Sequence, residues 1–122
     1  MLASAATRAF ATAAAPRILI TGACGQIGTE FVTLLRKKYG VENVIASDLR
    51  FPNREFQLSG PSAFLDVTDK SNITRLVAEN GITWIIHLGA LLSAIGEKMP
   101  QKALEVNVHG SENIIDVARQ YK

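Results

Sequence analysis

The sequence predicts an α/β fold in which helices cover a parallel sheet, and three observations carry that prediction. From Arg17 onward, short apolar β-branched runs alternate with longer amphipathic ones; a Gly-rich turn joins the first run to the first amphipathic stretch; and the run at Thr83 to His87 is apolar on both faces. At 122 residues, with 48% apolar and 20% charged residues, the chain is bounded to one domain with a core of its own.

Ile18 to Ile20 reads as the first strand. A helix follows from about Gln26 to Tyr39, with Ile27, Phe31, Leu34 and Leu35 at helical spacing, and Gly40 stops it. Val44 to Ala46 make a second strand ending in Ser47-Asp48, and a polar stretch containing Pro52, Gly60 and Pro61 crosses the surface to a third strand at Phe64-Leu65. Asp69 caps the next helix, which turns Ile73, Leu76 and Val77 to the sheet and ends at Gly81. Thr83 to His87 form the fourth strand, with Trp84 read as core. A small-residue loop from Gly89 to Gly96 then leads to Pro100, suited to the first turn of a helix reaching about Gln120.

Charge and cysteine content narrow the function classes. Thirteen basic and eleven acidic side chains leave a net charge of +2, without the basic stripe that nucleic acid requires. No apolar stretch approaches the roughly 18 residues of a membrane span. Cys24 is the single cysteine, and neither His87 nor His109 stands at metal-ligand spacing from it, so neither an internal disulfide nor a zinc site is expected. Residues 1 to 16 are rich in Ala, Ser and Thr, carry Arg8 and hold no acidic residue, the make-up of a mitochondrial transit peptide. The plainer alternative is a disordered Ala-rich tail. The domain boundaries read as 1–16 for the presequence and 17–122 for the folded part.

Gly22, Gly25 and Gly28 form a GxxGxxG pattern between the first strand and the first helix. In that context Gly22 permits a tight turn, Gly25 lets the amides of the helix start, at Gln26 and Ile27, approach a pyrophosphate, and Gly28 lets the helix lie close to the strand. Asp48 lies 48 − 28 = 20 residues beyond, at the end of the second strand, where a carboxylate accepts from the ribose hydroxyls of NAD and repels a 2′-phosphate. Asp66 is placed to accept from the adenine amino group, with Val67 packing on the ring. Leu88, Gly89 and Ala90 would let ribose and nicotinamide lie against backbone. Ser93 points to where a substrate would sit. Asn107, polar on an apolar helix face, is expected to bond a main-chain group near the site, and Gly110 to mark close packing. His87 reads as a core or supporting histidine rather than a base.

Strand, GxxGxxG, Asp48, Asp66 and the helix bearing Asn107 together resemble the extended short-chain dehydrogenase/reductase superfamily, also known as the NAD-dependent epimerase/dehydratase superfamily. The stretch Ile82 to Glu97, with its Ala-Leu-Leu-Ser-Ala-x-Gly-Glu run, and Leu58-Ser59-Gly60-Pro61 are similar to the short-chain type of L-threonine 3-dehydrogenase. The resemblance implies a Rossmann-type sheet of about four strands in the order 3-2-1-4, incomplete, with helices on both faces. It further implies NAD as cofactor, L-threonine oxidised at its β-carbon to 2-amino-3-oxobutanoate, a substrate contact at Ser93, a mitochondrial matrix location and a homodimer when complete. Relatives commonly carry two alanines where this chain has Gly89-Ala90.

The resemblance also implies a catalytic Tyr with a Lys four residues on. Tyr39 is followed at that spacing by Asn43, and only Lys122 follows Tyr121, so no catalytic residue is assigned within these 122. The chain therefore reads as the N-terminal, NAD-binding portion of such an enzyme, inactive alone. The alternatives are a non-catalytic NAD-binding or dimerisation module, or another extended short-chain dehydrogenase or epimerase.

Overall fold

A computed structural model describes residues 14–121. Most of the presequence reading, residues 1–13, lies outside the described residues. Four parallel strands, β1 (Ile18–Thr21), β2 (Val44–Asp48), β3 (Ser62–Phe64) and β4 (Trp84–His87), form one sheet in the order β3-β2-β1-β4. The expected order is thus found. β1 is central, with Ile18 paired to Val44 on one side and to Trp84 on the other, and all four of its residues are buried.

The two faces of the sheet are covered unequally. Helix α1 (Gln26–Tyr39) and the short α2 (Arg54–Leu58) lie on one face, where Ile18, Ile20, Val32, Val44 and Ala46 form a core joined by Leu35, Tyr39 and Phe56. Helices α3 (Lys70–Asn80) and α6 (Gly110–Gln120) cover the other, around Leu19, Ile45, Leu65, Ile73, Leu76, Val106, Ile114 and Val117. Each such fully buried Ile or Val contributes on the order of 1.5–3 kcal/mol relative to exposure. The helix α4 (Ser93–Lys98) and α5 (Pro100–Leu104) complete the chain, with a π turn at Glu105–His109 running straight into α6.

Helix ends follow local chemistry. The Asp69 carboxylate accepts from the Asn72 amide at 3.2 Å, and Gly81 closes α3 in the left-handed conformation at φ 58°. Arg36, Lys37 and Lys38 place positive charge in the last turn of α1, where the helix dipole favours it.

The structure corrects several expectations. Of the apolar positions at helical spacing on α1, Leu35 packs on the core, whereas Ile27 is 62% and Leu34 61% exposed and Phe31 also reaches solvent, and Gly28, Val32 and Arg36 face inward. Gly28 sets this rotation, because a Cβ there would collide with the Gly22 carbonyl, so the glycine must face the turn. Trp84 is 49% exposed rather than core, since β4 is a sheet edge and its two-sided burial is not realised. Its ring meets the Tyr39 ring edge-on at 5.7 Å. The polar stretch before β3 holds α2, begun by Asn53, whose side chain accepts from the Phe56 amide at 2.8 Å. β3 ends at Phe64, two residues before Asp66, and the small-residue loop contains α4.

Candidate functional site

The carboxyl ends of the strands bring together Thr21, Asp48, Leu65-Asp66 and His87 to Ala90. α1 leaves β1 toward one face, whereas the chain leaving β4 reaches the other. The crevice between the ends of β1 and β4 is therefore the point at which the winding reverses, where open α/β sheets bind ligands.

The glycine turn forms one wall. Gly22 has φ 66°, and a Cβ on it would lie 2.7 Å from the Gly89 nitrogen, so this turn and the segment after β4 touch backbone to backbone. Gly25 donates to the Gly22 carbonyl at 3.1 Å, and the first α-helical bond of α1 runs from Thr29 to the Gly25 carbonyl. The amides of Gln26, Ile27 and Gly28 thus precede the helix's own hydrogen-bonding and remain as donors at its positive end. A Cβ at Gly25 would fill part of this approach, lying 3.3 Å from the Gly22 oxygen.

Asp48 stands beside this turn with its side chain only 10% exposed. Its Oδ2 accepts from the Cys24 amide at 3.0 Å, and its Oδ1 from the Arg50 amide at 3.0 Å, with the Arg50 guanidinium at 3.5 Å. A shallow groove of about 130 Å³ opens next to it, lined among others by Leu49, Phe51, Phe56 and Phe64. Burial, with the Asp48 carboxylate adding to it, pushes the Cys24 thiol up while Arg50 pulls the other way, so the thiol is not an activated nucleophile.

The remaining positions divide. Asp66 Oδ1 accepts from the amide and hydroxyl of Thr68 at 2.9 and 2.6 Å, in a turn at the crevice edge. Val67 does not present a surface to a ring: it is 6% exposed, packed against Gly110, where an added Cβ would lie 2.7 Å from Val67 Cγ2. The close packing expected of Gly110 is realised there. Asn107 pairs both ends of its amide with Leu91, accepting from its N–H at 2.8 Å and donating to its carbonyl at 3.1 Å. The π turn aims Asn107 at this segment, and Ser93 opens α4 just beyond, exposed to solvent.

Thr21 is the residue that reading by motif passed over. Its Oγ1 accepts from the amides of Leu88 and Gly89, each at 3.1 Å, and stitches the end of β4 to the glycine turn. A β-branched hydroxyl at a strand end directly before the turn glycine is the signal that marks it.

The sequence profile of the NAD dependent epimerase/dehydratase family matches residues 18–122. The chain belongs to that family. It is 45% identical to the mitochondrial L-threonine 3-dehydrogenase of Sus scrofa over 112 residues, covering 92% of this chain and 30% of the pig protein. Among solved structures, L-threonine dehydrogenase from Clostridium difficile superposes with a TM-score of 0.83 at 41% identity, covering 87% of this chain and 34% of that one. UDP-glucose 4-epimerase from Thermus thermophilus, solved in complex with NAD, gives 0.73 at 30% identity, with 86% and 34% covered. The chain spans about a third of the length of these family members.

Proposed function

We propose that residues 17–122 are the NAD-binding portion of a mitochondrial L-threonine 3-dehydrogenase, with residues 1–16 as the import presequence. The observation that carries the cofactor reading is the Asp48 carboxylate, held at 3.0 Å on the Cys24 amide beside the open end of α1. The amides of Gln26, Ile27 and Gly28 meet the pyrophosphate, and Gly25 clears its approach. Asp48 accepts from the adenosine ribose hydroxyls and excludes a 2′-phosphate by like-charge repulsion. Asp66 and the backbone at Val67 stand on the adenine side. Leu88, Gly89 and Ala90 supply the backbone surface for the nicotinamide half, in a segment fixed by Asn107. NAD, when bound, supplies the hydride acceptor for oxidation at the β-carbon of L-threonine. Ser93 contacts that substrate. No Tyr with a Lys four residues on occurs among these 122 residues, so no proton-transfer role is assigned to them, and the similarity to the pig and Clostridium difficile enzymes supports L-threonine as the substrate.

Titration calorimetry with the full chain tests the cofactor reading. NAD is expected to bind and NADP to bind more weakly, and Asp48→Ala should lose about tenfold or more in NAD affinity, as removal of a charge-assisted hydrogen bond does. Equal affinity in the variant would remove Asp48 from the site. Given L-threonine and NAD, the same preparation should form no NADH at 340 nm, and measurable NADH would place the proton-transfer groups within these residues.

A further inference from the structure

Four polar groups behind the crevice form a hydrogen-bond chain whose direction is fixed by valence. Thr21 Oγ1 already accepts from two amides, Leu88 and Gly89, which fills the two acceptor positions of a hydroxyl. Its single proton must therefore go to His87 Nδ1, 2.6 Å away. An imidazole whose Nδ1 accepts carries its proton on Nε2, and that nitrogen lies 3.3 Å from Ser111 Oγ, which in turn donates to the Asn107 carbonyl at 2.8 Å. The chain runs one way, from the Leu88 and Gly89 amides just after β4 through Thr21, His87 and Ser111 to the backbone of the π turn.

We propose that His87 is a positioning residue for the cofactor crevice, locked as the neutral Nε2–H tautomer, and that its protonation frees Gly89 from its contact with the glycine turn. The proposal rests on the NAD-binding reading above for its functional consequence. A proton on Nδ1 would set an N–H against a hydroxyl that has no acceptor position left. Thr21 must then turn its proton elsewhere and give up one of the two amides, and because the Leu88 N–H also donates to the Thr21 backbone carbonyl at 3.2 Å, the amide left without a partner is that of Gly89. Those amides hold Gly89 against Gly22, where the backbones leave no room for a methyl group, so a small shift there alters the whole nicotinamide side of the crevice.

The surroundings support a neutral ring. β1 and α6 meet the ring with the Thr21 and Ser111 hydroxyls. Titratable side chains of the π turn and α6 pair with others at the surface: His109 with Glu112 at 3.0 Å, Glu105 with Lys102 at 3.4 Å, and Asp116 with Lys70 at 3.2 Å. Burial alone pushes the His87 pKa below its ordinary 6.5. A group depressed in the folded state binds fewer protons there than in the unfolded chain. Its contribution to stability is accordingly complete above pH 6.5 and is lost as pH falls toward the folded pKa.

Two measurements on the full chain decide the proposal. Long-range ¹⁵N–¹H NMR of the His87 ring should give the Nε2–H tautomer at about pH 8, and an Nδ1–H tautomer overturns the relay whatever the chain binds. NAD titration should then lose about tenfold in affinity between about pH 8 and pH 5, in step with protonation of that ring. His87→Phe, which keeps the ring shape without the acceptor, should bind about tenfold more weakly at both pH values. His87→Asn restores an acceptor for Thr21 and removes the ionisation, so it should recover most of that loss and abolish the acid weakening. Acid weakening that persists in His87→Asn, or His87→Phe binding as tightly as the parent, overturns the positioning role. A chain that binds no NAD at any pH overturns the cofactor reading instead, and the tautomer measurement still decides the relay.

Discussion

Arg36 carries a full charge into the corner between α1, β2 and the segment before β3. Its Nε and Nη2 donate to the Val44 carbonyl at 3.3 and 3.2 Å, Nη1 donates to Ser59 Oγ at 2.8 Å, and Nη2 also reaches the Pro61 carbonyl. Burial lowers its pKa, yet a guanidinium remains protonated inside proteins, so these acceptors serve in place of water. Arg36→Leu is expected to cost about 2–3 kcal/mol, because the Val44 and Pro61 carbonyls and the Ser59 hydroxyl each lose a charged donor. Calorimetric unfolding measures this, and an unchanged Tm would mean that the carbonyls find other partners. Nothing in the sequence singles out this arginine from the basic residues beside it. Asp48 and the three glycines were legible because spacing alone constrains them. The opposite holds for Thr21 and Ser111, whose roles depend on residues more than 20 positions away.

At the scale of elements, legibility tracked whether a segment makes its own boundary. α1 and α3 were readable to the residue at both ends or nearly so, since Gly25 and Gly40 bound one, and Asp69 and Gly81 the other. α2 and α4 escaped because each is a turn or so long and buries none of its residues, leaving no periodicity to detect. The rotation of α1 is not set by its largest apolar residues, because a glycine contact fixes the helix about its axis. Substitution separates the two faces. Val32→Ala should lower stability by about 2 kcal/mol, the combined transfer and cavity cost of a buried valine, while Leu34→Lys should stay within about 0.5 kcal/mol. Denaturant titration of both variants checks this, and a large loss in Leu34→Lys would place that side chain in a contact within the chain.

For the whole molecule, the sheet order leaves β3 and β4 as edges. β4 is apolar and carries the half-exposed Trp84, on the face covered by α1 and α2. Unpaired apolar edges invite pairing with another chain. The 122-residue chain alone is therefore expected to self-associate at micromolar concentration, with a weight-average sedimentation coefficient that rises with concentration. Trp84→Lys should shift it toward monomer, since a charge on an edge strand opposes pairing. A coefficient constant with concentration in the parent would show that the edge is protected. The fold class is legible here from alternation alone, because a parallel sheet demands crossovers that the chain advertises as helices, whereas the strand order rests on the family resemblance. The unequal covering of the two faces was not, since it depends on which way each crossover turns.

The same topology carries a consequence in time. β1 is the first strand of the described chain to be synthesised, yet one of its two neighbours is β4, and the Arg17–Thr83 hydrogen bond at the start of that pair spans 66 residues. At a ribosomal rate of about 5–20 residues per second, the interval is on the order of 3–13 s. Throughout it, the most deeply buried strand of the molecule has one side open, and its Ile18, Leu19 and Ile20 wait for the segment that will close it.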